Sequence, residues 1–213
     1  MLAGQDSARG HDRADLDRLG SRRPSLAARF IAGALTPALV VSALTLFVAI
    51  RHSPGWTAGV GWACATVLLV VGAPYLVLFR ALHLGVVDDR QVVRRSQRPA
   101  LMAAALGCVA AALALLVVVG APRALVVLVL AQAGGLAAMT ALTLRWKASM
   151  HLAVAAGAVA IAAMEVPVCA MTALLLPLLG WARWRDGRHS LAQLAGGAAV
   201  GASTAVAIYG ALR

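Results

Sequence analysis

The side chains best suited to chemistry in this chain are two histidines set among arginines. His151 and His189 lie in polar stretches that also hold Arg145, Lys147, Arg183, Arg185 and Arg188, and a third polar stretch carries Arg90, Arg94, Arg95 and Arg98. An arginine fork matches phosphate oxygens two at a time. An imidazole can attack phosphorus or hand a proton to a departing oxygen. Gathered at one place, these groups would act on a phosphate. Cysteine chemistry has less behind it: Cys64, Cys108 and Cys169 lie inside apolar runs at no ligand spacing. They read as free, buried thiols, not as a disulfide or metal framework.

What must gather these residues is set by composition. Hydrophobic types make up 62% of the 213 residues and charged types 13%, with a mean hydropathy of +0.85. A soluble domain carries about 25% charged residues, so this chain needs lipid around it. Residues 30–50, 57–82, 100–120, 124–144 and 191–212 are each long enough to cross a bilayer core, which takes about 20 residues. Residues 151–179 would make a helix of about 44 Å, too long for one upright span. Glu165 and Pro167 interrupt it, which predicts two short helices with a turn at 164–167. The expected fold is all-α, a polytopic transmembrane bundle of six to seven membrane helices, two of them short. It forms a single domain over residues 30–213. Residues 1–29 lack an apolar core and a cleavage site, and read as a disordered basic cytoplasmic tail rather than a secretory signal. A short amphipathic helix is expected near Leu16–Leu26.

Charge supports this path. Of 19 Lys and Arg residues, 16 fall on the side of the amino-terminal tail under this topology, and Arg51, Arg123 and Arg213 on the other. That asymmetry places the tail and the three polar stretches on the cytoplasmic face of the cell membrane. The net charge of +11 fits anionic lipid. It does not point to nucleic acid, because the arginines sit between apolar spans and form no soluble basic face. Trp56, Trp62, Trp146, Trp181 and Trp184 fall near span ends as interfacial anchors. Gly134-Gly135 and Gly196-Gly197 suit close helix packing, and Gln132 is expected as interhelical glue.

The spacing of the polar residues resembles the type 2 phosphatidic acid phosphatase superfamily of membrane phosphatases. That family carries Lys-x6-Arg-Pro, Pro-Ser-Gly-His and Ser-Arg-x5-His-x3-Asp. Here the three appear as Gln91-x6-Arg98-Pro99, Ala148-Ser149-Met150-His151 and Ala182-Arg183-x5-His189-x3-Gln193. Arg98, Pro99, Ser149, His151, Arg183 and His189 match; Gln91, Ala148, Met150, Ala182 and Gln193 depart. The resemblance covers about residues 80–212.

The resemblance implies a metal-independent phosphatase without a cofactor, acting on a lipid phosphate. His189 would be the nucleophile and His151 the acid that protonates the leaving oxygen. Arg98, Arg183 and Ser149 would hold the phosphate, with Arg90 or Arg94 replacing the lysine lost at Gln91. The ordinary reading of Arg90, Arg94 and Arg95 is plain positive-inside charge. His52 and His83 have no motif around them. The largest departure is Gln193, where the family has an aspartate one helical turn beyond the nucleophile. Its carbonyl can orient an imidazole but cannot stabilise an imidazolium. The comparable Asp→Asn change in a serine-protease triad costs about 10⁴ in turnover. Asp186, three residues before His189, is the nearest substitute, while Glu165 faces the other leaflet. Two other classes compete: a catalytically degenerate phospholipid-binding or assembly subunit, and a small transporter, for which no inverted repeat is evident.

Overall fold

The computed structural model describes residues 25–86, 98–187 and 189–213, with Arg98 and Pro99 described by their backbone alone. The tail, the helix expected near Leu16–Leu26 up to residue 24, and Arg90, Gln91, Arg94 and Arg95 lie outside the described residues. Among the described residues every regular element is a helix: α1 (Leu26–Ala34), α2 (Pro37–Arg51), α3 (Trp56–His83), α4 (Arg98–Val118), α5 (Arg123–Arg145), α6 (Met150–Glu165), α7 (Pro167–Arg185) and α8 (Leu191–Leu212). Lipid offers no partner for a backbone N–H or C=O, so apolar segments this long satisfy themselves as helices. Helices α3, α4, α5, α7 and α8 are long and apolar enough to cross a membrane, and the bent pair α1–α2 makes a sixth. The bundle is membrane-embedded. Leu26, Phe30 and Val118 stand at its surface, between 78% and 84% exposed, where only lipid makes such exposure favourable.

Local residues set the breaks. Thr36 is held extended by the proline after it, and its hydroxyl accepts from Leu39 N, so α2 restarts at a 40° bend from α1. Pro74 lies within α3 and cannot donate to the preceding turn. A π-turn at Leu68–Gly72 absorbs the mismatch and the helix continues. Gly120 turns the chain between α4 and α5 with φ +71°, a conformation that side chains with a Cβ resist.

Helices α6 and α8 run parallel and form the most intimate pair. Gly157 lies where an added Cβ would stand 3.1 Å from Gly201 O. A methyl on Gly201 would overlap the Ala153 backbone, and one on Gly197 the Ser149 backbone. These small residues recur every fourth position on one face of α8, which is how helices approach closely without a hydrophobic drive between them. The register fixes both ends at once. Ser149 meets Gln193 at one end, and Glu165 meets Tyr209 at the other.

The split of residues 151–179 is observed, with the break at Val166. Its second leg is longer than expected: eight residues of 3-10 helix lead into α-helix that continues through Arg185. Arg183 is therefore on a helix, not in the loop that its charged neighbours suggest. Other expectations are corrected. None of the cysteines is buried: Cys64 is exposed on the bundle surface, because its face of α3 points outward, and Cys108 and Cys169 are partly exposed; all three are free. Trp62 packs against buried residues of α2 and α5, and Trp184 against Leu179 and Leu194, so each is partly buried in the bundle. Gln132 makes no hydrogen bond among the described residues, so it does not glue helices.

Candidate functional site

Two of the three polar stretches meet at the end of the bundle where α6 and α8 begin. Residues 146–149 form an extended link from α5 that crosses the first turns of α8. Trp146 lays its ring over Gly196, and Ser149 N donates to Gln193 O at 3.0 Å. Ser149 is fully buried at the first position before α6, and its hydroxyl makes no hydrogen bond among the described residues. A serine there would ordinarily cap its own helix; this hydroxyl is spared that duty. His151 follows in the first turn of α6 and is half-buried.

The other half comes from the α7–α8 link. Arg183 lies in the last turn of α7, buried at 8% exposure. Asp186 follows as the helix ends, and Gly187 reverses the chain with φ +66°. His189 is buried at 7% exposure directly before α8. Ser190 then caps α8 in a reciprocal box: its hydroxyl accepts from Gln193 N, and Gln193 Oε1 accepts from Ser190 N at 3.2 Å. Packing ties the halves together, since Leu152 of α6 shares one cluster with Leu179 of α7 and Leu194 of α8.

An arginine is rarely this buried without a specific environment. Asp186 provides part of it, accepting from Arg183 Nη1 at 3.2 Å, with both side chains about one-tenth exposed. Its other oxygen makes no hydrogen bond among the described residues. The Gln193 side chain works as a helix cap, a role that its spacing from His189 did not announce.

The first stretch is represented by the backbone start of α4. Met102, one turn after Arg98, packs with Ala148 and Met150 around Met139, so α4 begins at this same end. The Arg98 side chain, Arg90 and Arg94 lie outside the described residues. A cavity of about 260 Å³ lies inside the bundle, and its wall includes Met150, Val154 and Ile161 of α6. Its wall is apolar apart from Gln132 and Tyr75.

A second polar cluster, which the spacing of the sequence did not single out, sits at the opposite end of α6. Glu165, the only glutamate, is 6% exposed there. It accepts from Arg51 Nε at 3.1 Å and Tyr209 Oη at 2.7 Å, and His52 Nε2 stands 2.8 Å away. Arg213 donates to Met164 O beside it. A lone acid in an apolar stretch was the available signal; its partners are far away in sequence.

Comparison with protein-family models, curated proteins and solved structures finds no match for this chain.

Proposed function

We propose that the chain is an integral-membrane lipid phosphatase, hydrolysing a phosphomonoester or diphosphate through a phosphohistidine. The observation that carries this reading is the joint burial of Ser149, Arg183 and His189 at the end of the bundle where His151 begins α6. Two buried donors, Ser149 and Arg183, suit an oxyanion with several oxygens to satisfy, and a buried imidazole suits attack on its phosphorus. His189 attacks phosphorus with a ring nitrogen lone pair, and the bond from phosphorus to the leaving oxygen breaks. His151 gives its proton to that oxygen. It then takes a proton from water, whose oxygen attacks phosphorus, breaks the P–N bond and frees inorganic phosphate. Arg183, with Arg98 and with Arg90 or Arg94, balances the charge of the transferring group, and Ser149 donates to one oxygen. These cations would supply the positive charge that the transferring group needs.

The cavity whose wall includes Met150 supports a lipidic substrate, because an apolar chain can occupy it while the phosphate stays at the bundle end. Prenyl phosphates or diphosphates and phosphatidic-acid-like lipids fit this description. The excess of arginine on one side supports a site on the cytoplasmic leaflet of the cell membrane. The test is phosphate release from a short-chain prenyl diphosphate by purified protein. His189→Ala and His151→Ala should each lose about a thousandfold in rate; wild-type rates in both variants end the reading.

A second reading is a phospholipid-binding or assembly subunit of the same fold. It is favoured by Gln193, which supplies no charge to His189 and is engaged as a cap. Gln193→Asp separates the two: a weakened phosphatase speeds up, and a dedicated binder gains no turnover.

A further inference from the structure

We propose that Asp186 is a resident counter-ion of the phosphate site, displaced from Arg183 by the incoming anion and then serving as the charge partner of His189. The inference rests on the phosphatase reading and names a positioning residue within it.

A guanidinium as enclosed as that of Arg183 is costly to hold without an anion nearby. Asp186 contributes to meeting that need through a 3.2 Å contact from Nη1 to Oδ2, made possible because α7 ends at Arg185 and Gly187 turns the chain back. The pair is one-legged. An arginine and a carboxylate of ideal geometry share two parallel bonds, whereas Asp186 Oδ1 makes no hydrogen bond among the described residues and is itself buried. A carboxylate with one buried oxygen unsatisfied is held in a compromise position, and a better-matched oxyanion displaces it at modest cost.

Displacement leaves Asp186, three residues before His189 in the chain, with a negative charge and two acceptor oxygens. The catalytic imidazole gains positive charge when it bonds to phosphorus. Gln193, the residue at the helical position suited to balancing that charge, is neutral and caps α8 through Ser190. Asp186 is the only acid within ten residues of His189. It therefore holds Arg183 before the substrate arrives and the imidazolium afterwards. No bond is made or broken at Asp186 in either state; only hydrogen bonds are exchanged.

The experiment separates binding from turnover. Inorganic phosphate binding is titrated by calorimetry on purified protein in nanodiscs, and kcat is measured with a prenyl monophosphate. Asp186→Asn removes the competing charge, so phosphate should bind about tenfold more tightly, while kcat falls at least tenfold. The gain in affinity should vanish in the Arg183→Gln background. Phosphate affinity unchanged or weakened by Asp186→Asn, in a protein whose wild type binds phosphate, overturns the inference and leaves the phosphatase reading standing. No phosphate binding by either protein, with both folded, overturns both. Should Asp186→Asn not fold, Asp186→Ser carries the same test. Failure of both to fold assigns Asp186 a structural duty and overturns the inference.

Discussion

The two ends of α6 carry polar clusters of similar make-up and opposite character. At the Glu165 end, three side chains from α8 and the α2 terminus converge on one carboxylate, which they saturate. At the Ser149 end, a fully buried hydroxyl and one oxygen of a buried aspartate have no hydrogen bond among the described residues. Folded proteins pair nearly all their buried polar groups. A saturated cluster needs nothing more and closes the bundle. On the phosphatase reading, the Ser149 hydroxyl and the open Asp186 oxygen are the groups that an incoming phosphate would meet.

That contrast predicts two kinds of mutant. Substitution of His151 or His189 at the Ser149 end should change activity far more than stability, and substitutions at the Glu165 end the reverse. His189→Ala should remove about 4 kcal/mol of transition-state stabilisation, read as a thousandfold loss of phosphate release, with thermal unfolding nearly unchanged. Gly201→Leu forces the α6–α8 contact apart between the clusters. It should cost about 3 kcal/mol or more of stability and abolish activity too, because Ser149 and Gln193 depend on the same register; activity retained would mean the ends are independent.

Smaller effects sharpen the comparison. Glu165→Gln keeps the shape but weakens charge-assisted bonds to Arg51 and His52. It should cost about 1–3 kcal/mol in thermal unfolding and leave turnover per folded molecule intact; lost turnover in a stable protein would make the far cluster functional. Gln193→Asp should raise kcat about tenfold by charging the neighbourhood of His189, a gain worth about 1.4 kcal/mol. The smallest effect is expected at Gly135, whose added Cβ meets nothing within 4 Å. Gly135→Ala should stabilise by about 0.4–1 kcal/mol through the unfolded chain, in opposition to the result at Gly201.

Much of the fold was legible because lipid imposes simple rules. An apolar run of about 20 residues must be a helix, and α4, α5 and α8 fall within a few residues of the expected spans. The break near Glu165 and Pro167 was equally visible. Less visible was the extension of α7 through Arg185. Charged residues suggest a loop, yet Trp181 and Trp184 alternate with Arg183 and Arg185 around a helix whose last turn is half inside the bundle. The bend at Thr36-Pro37 was readable from the proline and was masked by the apolar residues on both sides. Of the candidate site, residue types and order were legible from the motif spacing. The pairing of Arg183 with Asp186 and the capping role of Gln193 were not, since each depends on how one short turn closes.

The sequence by itself determined that this is a membrane-embedded helical chain, and which side chains have the chemistry to hold a phosphate. Both follow from local properties: hydropathy over one span, and the donors that a residue carries. Which polar groups meet which partners came from the packing of the helices alone. That is a property of pairs far apart in the chain, such as Ser149 with Gln193 and Glu165 with Arg51 and Tyr209. Their meeting rests on how closely Gly157, Gly197 and Gly201 let two helices approach, and no reading of one segment contains the surface of its partner.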